Sequence, residues 1–223
     1  MTDINLTEIV AILDRSGSMS VLRKDTIGGF NTFLAEQKKN SGKAKLTLVQ
    51  FDDLYQIDYD GADIQSVNDL TEETYQPRGN TALLDAVGKT IITVGERLAN
   101  TKEEERPAQV IFLVITDGQE NSSKEYRIAS AIAEMVKHQT EKYNWTFTFL
   151  GGGDAAFSQG ATMGFMSNNT YNYSANHGGT GNVYKAASRG VSRRRDKAQE
   201  GVLFTASVSL LDADEVKSLK TED

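Results

Sequence analysis

The chain contains no cysteine among its 223 residues. This absence excludes thiolate metal sites, disulfide bonds and cysteine nucleophiles. Histidine is almost as scarce, since only His138 and His177 are present, and a Ser-His-Asp hydrolase would have to draw its base from one of them. His138 falls in a helical pattern and His177 in a glycine-rich loop, and neither is linked to a nucleophile-elbow motif. The sequence therefore disfavours this class of hydrolase.

Long hydrophobic runs are also missing. No apolar stretch approaches the length of a membrane span, and the first five residues lack the basic region and apolar core of a signal peptide. We therefore expect no membrane insertion and a location in the cytoplasm of a bacterium or of a phage-infected cell. The net charge of −7 weighs against nucleic acid as the main partner. With 39% hydrophobic and 25% charged residues, the composition is typical of a soluble globular domain.

Hydrophobic periodicity predicts strands that alternate with helices. Such alternation indicates βαβ units and a mainly parallel sheet. The predicted strands are 7–13, 45–51, 55–59, 108–115, 145–150 and 170–174, and the second and third of these form a hairpin. The predicted helices are 21–39, 81–98, 124–143, a short one over 155–165, and a last one over 183–197.

Polar residues follow directly after the first buried strand. The apolar run from Ile9 to Leu13 ends in Asp14-Arg15-Ser16-Gly17-Ser18. In open α/β sheets, ligands bind outside the carboxyl ends of the strands. One carboxylate and two hydroxyls at that edge are hard oxygen donors, which suit Mg²⁺, Mn²⁺ or Ca²⁺ and suit Zn²⁺ or copper poorly.

Two later segments add donors of the same kind. The apolar run 109–116 ends in Asp117-Gly118, and Gly79-Asn80-Thr81 leads into a helical pattern. Together these segments supply five candidate metal ligands, some of which would act through water. An octahedral ion would keep at least one position for an outside ligand. The five candidates are Asp14, Ser16, Ser18, Thr81 and Asp117.

These motifs resemble those of the von Willebrand factor A domain, the family that includes the integrin inserted domains. Its metal-ion-dependent adhesion site (MIDAS) consists of Asp-x-Ser-x-Ser, a distant Thr and a later Asp, which match the five candidates in order. The resemblance extends over residues 5–150 and is thinner up to about residue 200. It implies a doubly wound, Rossmann-like α/β fold with strand order 3-2-1-4-5-6, one antiparallel edge strand and helices on both faces. The cation would lie between strands 1 and 4.

The resemblance also implies a function. We expect a metal-dependent protein-binding module, not an enzyme, in which a bound Mg²⁺ recruits an Asp or Glu carboxylate of a partner protein. Mn²⁺ and Ca²⁺ are the other candidate ions. The alternative is a Mg²⁺-dependent phosphoester hydrolase or nucleotide-binding enzyme that uses the same cation site.

Several segments leave their role open. Asp52, Asp53, Glu120 and Asn121 are placed near the same sheet edge, either supporting the ligands or lying solvated in turns. For Arg193-Arg194-Arg195, phosphate binding is one interpretation, and a solvated helix end that favours cations is the one we expect. We assign residues 1–200 to the A domain and residues 201–223 to a C-terminal extension of unknown role.

Overall fold

One sheet of six strands forms the centre of the computed structural model, which describes residues 1–220 except for the side chain of Ala156. The strands are β1 (Asp3–Asp14), β2 (Lys43–Phe51), β3 (Tyr55–Asp63), β4 (Pro107–Thr116), β5 (Thr146–Gly152) and β6 (Thr170–Tyr173). Their order is β3-β2-β1-β4-β5-β6, and only the β2–β3 pair is antiparallel. The predicted topology is therefore confirmed.

Helices cover both faces of this sheet. They are α1 (Arg23–Lys39), α2 (Leu83–Ala99), α3 (Ala129–Tyr143), α4 (Asp154–Thr162), α5 (His177–Gln199) and α6 (Ala213–Ser218). Side chains of β1 alternate between two cores: Ile9 and Leu13 pack with α1 and α5, whereas Val10 and Ile12 pack with α2 and α3. This alternation explains why β1 reads as a continuous apolar run, because both of its faces are buried.

Two helix starts differ from the sequence prediction by five or six residues. Helix α5, predicted over residues 183–197, begins at His177, because the Asn176 side chain accepts the Gly179 N–H at 2.8 Å and caps it. The helix predicted from residue 124 begins only at Ala129. The preceding N–H groups of residues 124–126 donate to the Asp85 carboxylate, which holds them outside the helix.

The arginine run near the end of α5 is also different from expectation. Arg194 and Arg195 are each only 2% exposed, so the predicted solvated helix end is wrong for these two. Arg195 donates to the main-chain oxygens of Gln37 at 2.6 Å and Gly42 at 2.9 Å. These carbonyls are hydrogen-bond acceptors for a buried guanidinium, which would otherwise be costly to bury.

Residues 201–219 pack against α5 and β6. Arg194 donates to the Val208 main-chain oxygen at 2.6 Å, and Ser174 N–H donates to the Leu219 oxygen at 3.0 Å. The Asn169 amide contacts the main chain of residues 206, 208 and 210. The last three residues of the predicted C-terminal extension, 221–223, lie outside the described residues. Among the helices described, none is both long enough and apolar enough to cross a membrane.

Candidate metal site

The carboxyl ends of β1 and β4 place two aspartates at the same edge of the sheet. The two strands are parallel neighbours, with Leu13 paired to Ile115. Asp14 is the last residue of β1, and Asp117 directly follows the end of β4. Parallel neighbouring strands end at the same edge of the sheet, so the two carboxylates are brought together. The last residues of the two strands, Asp14 and Thr116, are 102 positions apart in the sequence.

The Asp14 carboxylate is fully buried. Its oxygens accept the Ser16 N–H at 2.6 Å and the Thr116 hydroxyl at 2.5 Å. Burial raises the pKa of Asp14 to about 6, although the hydrogen bonds from Thr116 and Ser16 oppose this increase. None of the groups that shift this pKa is cationic. A buried carboxylate with hydrogen bonds but no cationic group among these would be stabilised by a metal ion.

A chain of hydroxyls connects the loop after β1 to Asp117. Ser16 Oγ and Ser18 Oγ are 3.2 Å apart, and Ser18 Oγ donates to Asp117 Oδ1 at 2.6 Å. Burial raises the pKa of Asp117, and the hydrogen bond from Ser18 counteracts this increase. Four of the five predicted ligands therefore lie in one contiguous group.

Thr81 completes the group from the loop that leads into α2. Its side chain is buried, and its hydroxyl makes no hydrogen bond within residues 1–220. A Cβ added to Gly118 would lie 2.9 Å from Thr81 Oγ1 and 3.3 Å from Asp14 Oδ2. The two oxygens thus border a single space, which stays open because residue 118 has no side chain.

The donor set fits a hard divalent cation. It contains two carboxylates and three hydroxyls. Within residues 1–220, there is no cluster of three or more His, Cys, Asp or Glu side chains that could hold a metal ion. Mg²⁺, Mn²⁺ and Ca²⁺ accept such oxygen donors, whereas nitrogen and sulfur ligands are typical of zinc sites. The structure brings all five predicted residues together, and their role as metal ligands remains a prediction.

The loops beside the ligands are held by acidic and amide side chains that sequence analysis left open. Asp52 is buried and accepts hydrogen bonds from Arg15 Nε at 3.1 Å and Arg78 Nε at 2.7 Å. Asp53 accepts the Asn80 N–H at 3.1 Å. Both aspartates therefore support the loop that carries Thr81, and Asp52 is not a solvated turn residue.

Glu120 and Asn121 likewise make specific contacts. The Glu120 carboxylate accepts the Leu84 N–H at 2.9 Å, and the Asn121 Oδ1 accepts the Thr81 N–H at 2.9 Å. Both residues thus connect the loop after β4 to the start of α2. No local motif marked these pairings, because each joins segments that are far apart in sequence.

Two contacts of Asp14 were missed from the sequence. The Thr116 hydroxyl binds its carboxylate, and the Tyr75 hydroxyl donates to its main-chain oxygen at 2.5 Å. Thr116 precedes Asp117 directly, so its place at the strand end was a usable signal. Tyr75 lies in an irregular segment, and no pattern there indicates its partner.

The two histidines are engaged elsewhere. His177 Nδ1 is 2.6 Å from Asp25 Oδ2, and the His138 ring packs edge-on against Tyr143. Neither histidine hydrogen-bonds Ser16 or Ser18 among the contacts within residues 1–220. The structure therefore offers no histidine base to either serine.

The chain belongs to the von Willebrand factor type A domain family, whose sequence pattern matches residues 8–199. No curated protein sequence matches the chain.

Solved structures of other proteins share this fold. Proximal thread matrix protein 1 from the mussel byssus, with a zinc-occupied MIDAS motif, gives a TM-score of 0.57 at 15% identity, over 85% of this chain and 47% of that one. A von Willebrand factor type A structure from Catenulispora acidiphila gives 0.53 at 15% identity, over 85% and 42%. Manganese-loaded TRAP protein of Plasmodium vivax gives 0.51 at 15% identity, over 77% and 70%. This chain thus spans less than half of the mussel and Catenulispora chains.

Proposed function

We propose that this chain is a divalent-metal-dependent protein-binding module that recruits an acidic residue of a partner protein. The observation that carries the proposal is the convergence of five oxygen donors, only two of them carboxylates, on one edge of the sheet. The metals named for similar structures, zinc in the mussel protein and manganese in the Plasmodium protein, support a cation at this kind of site.

The charge balance of the donors favours an acidic partner. Hydroxyls add no negative charge, and where Asp117 acts through water Asp14 is the one carboxylate that binds the divalent ion directly, so the ion keeps residual positive charge. Asp117 is also hydrogen-bonded by Ser18, which draws on one of its oxygens. A bound cation therefore supplies an electrophilic position that a further carboxylate satisfies better than water does.

Residues in the site have distinct tasks in this proposal. Asp14, held rigidly by Ser16 N–H and the Thr116 hydroxyl, would carry the main negative charge. Ser16 and Ser18 would present their hydroxyl oxygens, while Thr81 and Asp117 would contribute directly or through water. Mg²⁺ is the ion we propose, since it prefers oxygen ligands and keeps several waters.

Catalysis is not part of the proposal. The histidines are paired away from Ser16 and Ser18, so neither serine has a histidine as general base within residues 1–220. We propose that the site binds and does not turn over a substrate.

Selection from displayed peptides would test this function. Two libraries of random heptapeptides, one with a central Asp and one with a central Asn, would be panned on the protein in Mg²⁺ and in EDTA. Enrichment confined to the Asp library in Mg²⁺, and lost in Asp14→Ala, is expected. Asp69 is exposed and offers a matched control. The Asp69→Ala variant should enrich the same peptides as wild type.

Two outcomes would contradict the proposal. Equal enrichment in EDTA would show that no cation takes part. Hydrolysis of p-nitrophenyl phosphate that requires Mg²⁺ and disappears in Asp14→Ala would instead establish the phosphoester hydrolase.

A further inference from the structure

The loop that follows Asp117 pairs with Thr81 in both directions. Thr81 N–H donates to Asn121 Oδ1 at 2.9 Å, and Asn121 N–H donates to the Thr81 main-chain oxygen at 3.0 Å. Both main-chain polar groups of Thr81 are thus bound by one residue. The Thr81 hydroxyl, by contrast, has no hydrogen bond within residues 1–220 and borders the space beside Asp14.

The same loop is anchored to the first turn of α2. The Glu120 carboxylate accepts the N–H groups of Leu84 at 2.9 Å and Ser123 at 2.8 Å, together with the Ser123 hydroxyl at 2.7 Å. In the same turn of α2, the buried Asp85 carboxylate accepts three successive N–H groups of residues 124–126. Asn121 is therefore attached to a loop that has little freedom to move relative to α2.

A contact from α4 fixes the other end of the loop. Gln159 Oε1 accepts the Glu120 N–H at 2.6 Å, and Gln159 Nε2 donates to the Gly118 oxygen at 3.3 Å. Gly118 is the residue whose missing side chain leaves space beside Thr81 Oγ1. The loop is thus held at both ends, and Asn121 lies between the two points of attachment.

We propose that Asn121 is a positioning residue of the cation site: it fixes Thr81 so that the free hydroxyl faces the space shared with Asp14. This inference rests on the proposed metal-binding function and adds a residue that the family's motif does not contain. Because Asn121 uses only the main chain of Thr81, it orients the hydroxyl without competing for its oxygen. Residues that orient metal ligands in this way typically change metal affinity by about 10- to 100-fold when they are removed.

Titration calorimetry with Mn²⁺ alone would test the proposal on four proteins. Asn121→Ala and Asn121→Leu both remove the amide oxygen, and the second keeps the branched shape and the number of side-chain heavy atoms. We expect each to raise the Mn²⁺ dissociation constant about tenfold. Asn121→Asp keeps an acceptor for the Thr81 N–H and should bind at least as tightly as wild type.

A neighbour in the same loop provides the control. The Ser122 hydroxyl is buried without a hydrogen-bond partner in residues 1–220, so it makes no hydrogen bond to Thr81. Ser122→Ala should therefore bind Mn²⁺ like wild type. Melting temperatures in EDTA would verify that all variants fold; the exposed position of Asn121 favours this for both of its apolar replacements.

A double-mutant cycle separates positioning from general loosening of the loop. If Asn121 acts through Thr81, then Asn121→Ala should cost no further Mn²⁺ affinity in a Thr81→Ala background. An equal loss in both backgrounds, or wild-type affinity in Asn121→Ala and Asn121→Leu, would overturn the inference while leaving the proposed function intact. Failure of wild type itself to bind Mn²⁺ would overturn the proposed function as well.

Discussion

Ser18 Oγ donates a 2.6 Å hydrogen bond to Asp117 Oδ1, so the loops after β1 and β4 touch directly across the site. The Ser18 hydroxyl stabilises the negative charge of Asp117, as a bound cation would also do. Hydrogen bonding therefore holds the two loops together without a metal, and we expect metal binding to need rearrangement of side chains only.

Charge removal at the centre of the site should separate binding from folding. Asp14→Asn keeps an acceptor for the Ser16 N–H and removes the buried charge. We expect it to lose metal binding and to melt at or above the temperature of wild type in EDTA. Wild type should gain about 2.7 kcal/mol from Mg²⁺ at a hundred times the dissociation constant, and the variant should gain nothing. A variant that melts far below metal-free wild type would mark Asp14 as mainly structural.

The identity of the ion follows from the donor chemistry. Two carboxylates and three hydroxyls, with no nitrogen or sulfur ligand at the motif, should prefer Mg²⁺ or Mn²⁺ to Zn²⁺. Calorimetry on EDTA-treated protein would compare the three ions, with Asp14→Ala as control. Tight Zn²⁺ binding that persists in this variant, without any response to Mg²⁺ or Mn²⁺, would refute the prediction.

Filling the space beside Gly118 should weaken the metal site selectively. An alanine Cβ would approach Thr81 Oγ1 to 2.9 Å and Asp14 Oδ2 to 3.3 Å, so it would occupy the volume between two ligands. We expect Gly118→Ala to lower Mn²⁺ affinity by about tenfold or more. Gly28→Ala is the matched control, because a Cβ there meets nothing within 4 Å. Equal Mn²⁺ affinities for the two variants would show that this space takes no part in binding.

Two buried tyrosines should respond oppositely to loss of the hydroxyl. The Tyr184 hydroxyl is buried without a partner within residues 1–220, whereas the Tyr75 hydroxyl binds the Asp14 main-chain oxygen at 2.5 Å. Tyr184→Phe should leave the free energy of unfolding unchanged or raise it by about 1 kcal/mol, and Tyr75→Phe should lower it by about 1–2 kcal/mol. Urea unfolding would measure both. A clear loss in Tyr184→Phe would instead indicate a buried water that satisfies the hydroxyl.

Arg195 should contribute strongly to stability although it lies far from the site in sequence. Its guanidinium donates hydrogen bonds to Gln37 and Gly42. These bonds join α5 to α1 and to the residue that precedes β2. Arg195→Ala should lower the free energy of unfolding by about 3 kcal/mol, because several buried acceptors lose their donor. Arg189→Ala, at an exposed position of the same helix, should change it little. Similar urea midpoints for both variants would contradict the inferred role.

The sequence predicted those features that depend on local patterns. The five candidate ligands lie at strand ends or near a helix start, where polar residues interrupt apolar runs. The predicted topology therefore indicated that these residues lie close together. The pairing of Tyr75 with Asp14 spans 61 residues and has no local signature. Arg194 is buried in part by residues 201–219, which carry no periodic pattern, and Arg195 bonds Gln37 and Gly42, which lie more than 150 residues away in sequence. Neither burial could be anticipated from a local pattern.

The two outer strands of the sheet are protected against edge-to-edge aggregation by different means. Along β6, residues 206–219 form a cover that is held by Asn169, Tyr171 and Ser174. The register of strand β3 with β2 shifts twice, and charged Asp58 and Asp60 lie along β3. Irregular pairing and charge are devices by which natural sheets resist the addition of a foreign strand. Addition of a foreign strand at β6 would therefore require residues 206–219 to move away first.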